Sequence, residues 1–531
     1  MMLYTLICAV CLSAAGLFAG RTLIHWFQLE SYQHPGYFRT LKRNPLQTLL
    51  PGAILGMLYL AVFLCFTWIF PNASPLVRAI AEGAVCLIGG ILLFTLSRQK
   101  KSKKPLVYTA RMKRLLVVAF AVQTGIWFLF QACFGDSPLA GFLFLFALPL
   151  WIALDGLIAW PVEKGISEVY FRDAQRILRD RKDLIRIGIT GSWGKTSVKF
   201  ILGSLLQERF NTLVTPKSFN TPMGVTRVIR TQLEPGHRIF IAEMGARHVG
   251  DIKEMCRLVH PQMGLLTSVG PQHLDTFKTL ERIKKTKYEL IEAIPENGAC
   301  FFADDDGIVY DLWKNTGKDK TLAGMRPDRD DVWVEELQVS PEGSQFLLCT
   351  KEIRIPCHTE LLGELNIRNI VLCASVCLKL GMTIREIARG ISHLESVEHR
   401  LQLIRNPGGI SVLDDAFNSN ILGAKQAFAV LRDFPGKRIV VTPGMVELGE
   451  QEEELNREFG RSMAGCCDIA VLIGRKRSRA IIDGLVERHF PEEKIVVTAS
   501  LAEATEYLAT VTVRGDSILF ENDLPDHYTE E

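Results

Sequence analysis

The residues best suited to chemistry lie in a glycine-rich run, residues 188–197, that directly follows the apolar residues 184–187. This order predicts a strand, a tight turn and the start of a helix. Backbone N–H groups at such a helix start converge on phosphate oxygens, a lysine adds positive charge, and a neighbouring hydroxyl can hold Mg²⁺. The run therefore predicts a phosphate-binding loop in which Lys195 and Thr196 act. A glycine turn that only joins strand to helix is the alternative, since Ile189 stands where the general loop pattern has glycine.

Three further polar residues follow the loop at positions where open α/β sheets bind ligands. Glu243 ends the apolar run 239–242, His273 comes after the run 264–268, and Lys287 lies on the next predicted helix. Taken singly, they fit a turn cap, an exposed loop residue and a solvated helix charge. Because ligands bind at the carboxyl ends of parallel strands, their order behind a phosphate loop instead favours one nucleotide and metal site.

Five apolar runs in the first 160 residues have the length that crosses a bilayer as a helix. They cover residues 3–20, 46–70, 76–96, 115–134 and 139–160. The first run could be a signal peptide, but no Lys or Arg precedes it, which favours a retained helix. The sequence thus predicts a multi-pass membrane protein.

Basic residues are confined to two of the loops between these runs, which predicts an orientation because Lys and Arg resist translocation. They are Arg39, Lys42 and Arg43 in the first loop, and Arg98, Lys100, Lys101, Lys103, Lys104, Arg111, Lys113 and Arg114 in the third. We therefore expect an outside N-terminus, with everything after residue 160 in the cytoplasm beneath an inner or plasma membrane. The same flanks account for most of the net charge of +3, so the charge does not point to nucleic acid. Thirteen cysteines without paired CxxC spacing are typical of reduced packing residues.

After the membrane region, a charged, helix-prone segment at 161–183 reads as an amphipathic connector. From residue 184, short β-rich runs alternate with helical patterns, which predicts a parallel sheet covered on both faces. Residues 332–357 have period-two patterns and predict an antiparallel hairpin appended to that sheet. A second alternating series begins near residue 400. The expected fold class is α/β: a five-helix transmembrane region at 1–160, a P-loop ATP-binding domain at 184–398 and a Rossmann-like α/β domain at 399–531.

The ordered motifs of the cytoplasmic part resemble the Mur ligases, ATP-dependent enzymes that join an amino acid or dipeptide to a carboxylate in peptidoglycan precursor synthesis. The similarity is greatest to the branch that adds D-alanyl-D-alanine (MurF-like). It extends over about residues 184–525. The motifs that carry it are residues 190–197, 220–225, 243–252, 273–275, 287, 363–369, 414–420 and 444–449.

This resemblance implies a role for each matching residue. Lys195 and Thr196, with Gly191, Gly194 and Ser197 of the loop, would hold the ATP phosphates. The resemblance also implies two Mg²⁺ ions, whose ligands would be Thr196, Glu243, His273 and a carbamylated Lys287. Asn366 and Asn369 would lie on the adenine side, and Arg400 and Asp415 would contact ATP from the last domain.

The implied reaction is ADP-forming. A carboxylate attacks the γ-phosphorus of ATP, an acyl phosphate forms, and an amine then attacks it to give an amide. Because Lys195 and Asp415 belong to different domains, the resemblance also implies domain closure around one nucleotide.

Two departures from the family pattern concern the substrates. The membrane helices occupy the place of the domain that grips the UDP-sugar, and residues 521–528 replace a Lys-Gly-Ser-Arg stretch. We therefore expect a membrane-anchored ligase whose acceptor, a lipid-linked or UDP-linked muramoyl peptide, is held at the inner membrane face and receives an amino acid or dipeptide amine. A poly-γ-glutamate-type synthetase and a non-catalytic ATP-binding membrane scaffold are the alternatives.

Overall fold

The computed structural model describes residues 2–99, 105–135, 137–217, 219–406, 408–417, 420–446 and 448–523. The chain divides into two compact units between Glu168 and Val169. Several residues of the sequence motifs lie outside the described ranges: the lysines of the third loop from Lys100 to Lys104, Asn418, Glu447 and the segment from Leu524 onward.

The described residues of the first unit form helices joined by short loops, and the last helix continues past Glu168 into the second unit. The helices are α1 (Met2–Ala19), α2 (Arg21–Leu29), α3 (His34–Arg43), α4 (Pro45–Trp68), α5 (Pro75–Gln99), α6 (Ala110–Phe134), α7 (Pro138–Phe146) and α8 (Leu148–Asp180). Four of these, α1, α4, α5 and α6, are long and apolar enough to cross a membrane. The pair α7 and α8 meets the same criteria only when taken together, and it bends by 64°.

The end of the predicted membrane region therefore differs from the sequence expectation in two ways. The run 139–160 is not one straight span, because the chain breaks at Ala147, between α7 and α8. Pro149 explains why a new helix starts here, since proline lacks the N–H that a continuing helix needs but fits the first turn of a new one. The expected connector at 161–183 is also not a separate helix, because α8 continues to Asp180.

The acidic side chains within the first unit are paired rather than exposed. Glu82 is fully buried; its carboxylate accepts from Arg78 Nε at 2.8 Å and from the Tyr4 hydroxyl at 3.1 Å. Asp155, also buried, accepts from Gln123 Nε2 at 2.7 Å. Polar groups inside an apolar bundle normally form such hydrogen bonds, although Asp155 Oδ1 and Gln123 Oε1 have no partner within the described residues.

The second unit begins with a mixed sheet. Its strands are β1 (Ile185–Thr190), β2 (Thr212–Val214), β3 (Ile239–Glu243), β4 (Met263–Leu266), β5 (Ala299–Ala303), β6 (Lys320–Gly324), β7 (Val332–Ser340), β8 (Gly343–Thr350) and β9 (Arg354–Thr359). Among the described residues the order is β2-β3-β1-β4-β5-β6-β7-β8-β9. Neighbours are parallel from β2 to β7, and β7, β8 and β9 are antiparallel, which confirms the expected appended hairpin.

Helices cover both faces of this sheet, as the alternation of strand and helix patterns predicted. They are α9 (Lys195–Gln207), α10 (Pro222–Gln232), α11 (Asp251–Val259), α12 (Leu274–Phe277), α13 (Leu280–Ala293), α14 (Ile308–Lys314), α15 (Glu364–Lys379) and α16 (Ile384–Ser392). One core packs α9 and α15 against the sheet, and another packs α10, α11 and α13 against its opposite face.

A second sheet follows with the order β10-β11-β15-β12-β13-β14. Its strands are β10 (Gln402–Arg405), β11 (Ser411–Asp415), β12 (Arg438–Thr442), β13 (Ile469–Ile473), β14 (Ile495–Thr498) and β15 (Ser517–Glu521). Only β10, at the edge, runs antiparallel to its neighbour within the described part of this sheet. The helices are α17 (Ile421–Arg432), α18 (Glu452–Met463), α19 (Arg475–Val486) and α20 (Leu501–Val511), with 3₁₀ turns at Gly449–Gln451 and Glu492–Lys494.

The position of β1 decides where a site can form. It lies between β3 and β4, and all three are parallel, so their carboxyl ends meet at one edge of the sheet. The glycine-rich run leaves β1 at that edge, Glu243 ends β3, and Thr267 and Ser268 follow β4.

Candidate active site

The glycine-rich run folds as the predicted strand, turn and helix. β1 ends at Thr190, and α9 begins at Lys195 directly after Gly194, whose φ of +79° lies in the left-handed region that favours glycine. At Gly191 the backbone passes so close to the β4 segment that a Cβ would lie 2.9 Å from the Ser268 nitrogen. Glycine at both places allows the turn to form against its neighbours.

Side chains after β4 hold this turn in shape. The Trp193 N–H donates to Ser268 Oγ at 2.8 Å, and Ser268 Oγ in turn donates to the Trp193 carbonyl at 2.9 Å. Ser192 Oγ donates to the Gly270 carbonyl and accepts from the Gly270 N–H, both at 3.0 Å. The Trp193 ring lies against Gly270, where a Cβ would come within 2.2 Å of it. The turn is therefore preformed.

Lys195 lies folded over this turn. Its Nζ donates to the carbonyls of Gly191 at 2.6 Å and Ser192 at 2.9 Å. Burial lowers the pKa of the Lys195 amine to about 8; the Glu243 carboxylate opposes the shift and the Arg400 charge adds to it. The amine thus occupies the place where a phosphate oxygen could replace the two carbonyls as its partner.

Glu243 is buried and surrounded by donors. Thr196 Oγ1 lies 3.1 Å from both carboxylate oxygens, and Asn220 Nδ2 donates to Oε1 at 3.0 Å. Lys199 Nζ lies 3.1 Å from Oε2, with both side chains almost fully excluded from solvent. Burial raises the pKa of the Glu243 carboxyl, but the charges of Lys199 and Lys195 outweigh it, so the net shift is downward. The carboxylate is held charged beside the loop hydroxyl.

Lys199 is a functional candidate that the sequence reasoning missed, and Asn220, which begins one of the resemblance motifs, was given no role there. Lys199 follows Lys195 by one helical turn and lies between Val198 and Phe200 on α9, which packs its apolar face on the sheet. A lysine on the buried side of a helix is unusual unless it is paired. That mismatch between residue type and predicted burial is the signal that could have identified it.

Lys287 is buried on α13, with 2% of its surface exposed, so the solvated helix charge considered from the sequence is wrong. Burial lowers its pKa well below the ordinary value, and the positive charge of Lys195 lowers it further, against weaker opposing effects of Asp251 and Glu289. These surroundings favour a neutral amine close to the loop.

The structure places the remaining loop residues, and the residues predicted for the adenine side, as follows. Ser197 is buried in the first turn of α9. Asn369 Oδ1 lies 3.1 Å from where a Cβ on Gly194 would be, so this asparagine borders the turn. Asn366 Nδ2 donates to the Leu362 carbonyl at 2.9 Å. His273 is half-buried in a left-handed conformation at the start of α12; the grouping of its ring with Glu243 stays a prediction.

Asp415 ends β11 of the second sheet, and Arg400 lies just before β10 of the same sheet. The Arg400 guanidinium stacks on the Phe417 ring at 4.4 Å and interacts electrostatically with both Asp415 and Glu243. Burial raises the pKa of the Asp415 carboxyl to about 6, although Arg400 opposes the shift. Asp415 also accepts from the Leu401 N–H at 3.0 Å. Residues of both sheets thus meet around Glu243.

Asp415 has a buried acidic neighbour, Glu521, that the sequence did not place in the site. The two residues are register partners on β11 and β15, and their side chains are hydrogen-bonded. Glu521 is fully buried. This contact puts the carboxyl ends of β11 and β15 beside Arg400.

The donor set at Glu243 fits Mg²⁺. Within the described residues there is no group of three His, Cys, Asp or Glu side chains that could hold a metal by itself. Magnesium seldom needs one, because it keeps water and substrate phosphate oxygens and takes one or two protein oxygens. The Thr196 hydroxyl and the Glu243 carboxylate, 3.1 Å apart next to the loop, supply such oxygens.

Comparison with known proteins identifies the two halves of this unit. The Mur ligase middle domain matches residues 189–377, and the Mur ligase glutamate ligase domain matches residues 399–521. Together these ranges take up more than half of the chain. The chain belongs to the Mur ligase family. It is accordingly an ATP-dependent, ADP-forming ligase, and the family uses ATP with Mg²⁺.

Curated Mur ligases similar to this chain carry one enzyme name. UDP-N-acetylmuramoyl-tripeptide--D-alanyl-D-alanine ligase of Escherichia coli K12 is 27% identical over 370 residues, which are 68% of this chain and 81% of the relative. The Bacillus subtilis 168 enzyme of the same name is 26% identical over 336 residues, 63% and 72% of the two chains.

Solved structures of Mur ligases show the same fold. MurF from Thermotoga maritima in complex with ADP has a TM-score of 0.60 at 25% identity, covering 67% of this chain and 80% of its own. MurF from Acinetobacter baumannii has a TM-score of 0.61 at 23% identity, covering 67% and 77%.

Proposed function

We propose that this Mur ligase is a membrane-anchored, MurF-like enzyme of peptidoglycan precursor synthesis that forms an amide bond through an acyl phosphate. The observation that carries the proposal is the grouping of Lys195, Thr196 and Glu243 at one sheet edge, with the buried amine of Lys287 nearby. The helices α1, α4, α5 and α6 support the membrane location.

In the proposed reaction the loop residues act on the ATP phosphates. The amides at the start of α9 point at phosphate oxygens, and Lys195 exchanges its carbonyl partners for them. Bound Mg²⁺, two ions in this proposal, offsets the charge repulsion between the attacking carboxylate and the γ-phosphate. Thr196 and Glu243 would hold one ion, and His273 and Lys287 would contribute to the second. Arg400 adds positive charge from the other domain, where Asp415 orients it.

Lys287 contributes in this proposal after capture of CO₂. The reaction requires the neutral amine, which attacks the CO₂ carbon, loses a proton and becomes a carbamate anion that can bind a metal. Its burial next to the charge of Lys195 supports this role. We expect a ¹³C carbamate resonance after incubation with labelled bicarbonate, and its loss in Lys287→Gln; a signal that persists in that variant would contradict the assignment.

The substrates proposed follow from the relatives' names. The amine is D-alanyl-D-alanine or a related dipeptide, and the acceptor is a muramoyl peptide with a free carboxylate, presented at the cytoplasmic face of the membrane. The lipid-linked form suits the membrane helices, and the UDP-linked form is the one named for the E. coli and B. subtilis enzymes.

The experiment that tests the function measures ADP release by the purified full chain in detergent micelles. We expect release only when an acceptor carboxylate and an amine are both present, and its loss in Lys195→Ala. The exposed Lys253→Ala is the matched control and should act like the unaltered protein. ADP release that is the same without acceptor or amine would overturn the proposal, whereas release driven by glutamate alone would favour a poly-γ-glutamate synthetase.

A further inference from the structure

A pocket in the first unit opens where three of its helices meet. Phe27 of α2 and Tyr32 of the following turn line it on one side, α6 supplies Arg111 and Leu115, and α8 supplies Trp160 and Glu163. One wall is apolar and the other carries charge. Its lining residues belong to the first unit, whereas the candidate ligase site is built from residues of the second.

The pocket lies at the level where the surface of α8 changes from apolar to charged. Leu157 and Trp160 expose more than half of their surface, and Glu163 and Lys164 follow within one turn. Lys164 Nζ lies 4.8 Å from the centre of the Trp160 ring. An exposed tryptophan at such a change is typical of the boundary between lipid tails and headgroups.

The charges around the pocket are unbalanced. The Glu163 carboxylate accepts two hydrogen bonds from the Arg114 guanidinium, at 2.6 and 2.8 Å. Arg111 Nε lies 3.8 Å from the same carboxylate, beyond hydrogen-bond distance, and its guanidinium stacks on the Tyr32 ring at 4.1 Å. Within the part of the chain that the structure describes, two arginines therefore share the Glu163 carboxylate at this pocket.

The walls of the pocket are fixed to each other. Ser31 and Tyr32 are consecutive non-glycine residues in the left-handed region, with φ of 55° and 63°, and this turn carries the Tyr32 ring under Arg111. Gln28 at the end of α2 exchanges two hydrogen bonds with the backbone of Val107, at 2.7 and 3.0 Å. The segment that enters α6 is therefore tied to the turn that holds Tyr32.

We propose that this pocket binds the phosphate of a lipid in the surrounding bilayer. The Arg111 guanidinium stacks on Tyr32 and lies beyond hydrogen-bond distance of its ion-pair partner Glu163, so it can offer two parallel N–H groups to phosphate oxygens. Leu115 and Trp160 would contact the lipid chain next to the phosphate, and basic pockets between membrane helices on the cytoplasmic side bind such headgroups. The inference rests on the membrane location proposed above, and it places a lipid-phosphate site in the membrane unit of the enzyme.

The test uses the full chain in nanodiscs of phosphatidylcholine, with and without phosphatidylglycerol, and counts retained phosphatidylglycerol by native mass spectrometry. We expect Arg111→Gln to lower retention about fivefold relative to the unaltered chain, the effect of one basic side chain near an anionic headgroup. Lys113→Gln removes the same charge from the same helix outside the pocket and should retain lipid normally.

Equal losses in Arg111→Gln and Lys113→Gln would overturn the site in favour of diffuse attraction, as would equal retention in all three proteins. Inorganic phosphate added to the protein in phosphatidylcholine nanodiscs is a further comparison. If it raised the thermal stability of the protein as much as phosphatidylglycerol does, the pocket would be assigned to a soluble anion instead. If Arg111→Gln does not fold, Arg111→Lys is used, because it keeps the positive charge but loses the two parallel N–H groups of the guanidinium. Normal lipid retention by Arg111→Lys would overturn the proposal. Lipid retention is read without ligase activity, so its failure is distinct from failure of the proposed reaction.

Discussion

Two lysines at the active site lie in surroundings that disfavour their charged forms. Lys195 and Lys287 both have lowered pKa values, chiefly because of burial, and the charge of Lys195 adds to the effect on Lys287. Without bound phosphates this arrangement costs stability, because an unfolded lysine is fully solvated. The cost is a physical reason why the site favours an anionic ligand.

The Lys195 amine has a consequence for the pH dependence of stability. Its pKa is about 8 in the folded chain and near 10.5 when unfolded. Below pH 8 the amine is charged in both states and the burial penalty is complete; between about 8 and 10.5 the unfolded chain binds more protons, so stability rises with pH. We expect the melting temperature of the nucleotide-free protein to rise from pH 8 to 9.5 relative to Lys195→Met. Parallel melting curves for the two proteins would contradict this.

Lys199 is predicted to matter through its pairing with the Glu243 carboxylate, 3.1 Å away and almost fully buried. Lys199→Met removes the cation but leaves the buried carboxylate, and losing one partner of a buried pair costs about 3–5 kcal/mol. Thermal unfolding should show a much lower midpoint for this variant. The exposed Lys253→Met serves as control, and equal midpoints for the two variants would refute the role assigned to the pair.

At the scale of elements, the turn between β1 and α9 depends on glycine. In Gly191→Ala the new Cβ would lie 2.9 Å from the Ser268 nitrogen and closer still to the Thr267 hydroxyl, so the turn must move away from the β4 segment. We expect the dissociation constant for ATP to rise at least about tenfold, since the loop amides no longer converge on the phosphates. Gly317→Ala, whose Cβ meets nothing within 4 Å, should bind ATP normally in the same titration calorimetry.

The sequence predicted β1, β3, β4, β5 and the strands from β11 to β15, because each contains a short, largely apolar run. It missed β2, β6 and β10. The three residues of β2 are too few for a pattern, β6 begins with Lys320, and β10 lies at a half-exposed edge of its sheet. Such strands are defined by the neighbour they pair with, which no local pattern records.

In the candidate site, too, local sequence patterns could be predicted and contacts between distant segments could not. Lys195, Thr196 and Glu243 could be expected together because their strands end at one edge of a parallel sheet. The pairing of Lys199 with Glu243 and that of Asp415 with Glu521 could not, because each depends on a contact between segments far apart in the chain. The break between α7 and α8 also escaped notice, since hydropathy averages over the proline that starts the new helix.

At the scale of the whole molecule, Arg400 links the two α/β domains electrostatically, interacting with Glu243 on one side and Asp415 on the other. Arg400→Met should therefore weaken the shared nucleotide site, raising KM for ATP by about tenfold, the effect of one lost interaction with a charged group. Arg385 is exposed, and Arg385→Met changes the net charge by the same amount, so it serves as the control. Its KM for ATP, measured by steady-state ADP release, should equal that of the unaltered protein. Equal KM values for the two variants would separate Arg400 from the nucleotide.

The indole of Trp193 rests on Gly270, inside the turn that is predicted to bind the nucleotide phosphates. Aromatic emission is sensitive to nearby charge and to displacement of solvent, so this ring is a built-in optical probe of occupancy. Replacing the other tryptophans with phenylalanine would leave a single indole, at the predicted phosphate-binding turn. Titration of such a protein would report ligand entry in real time, without any attached dye.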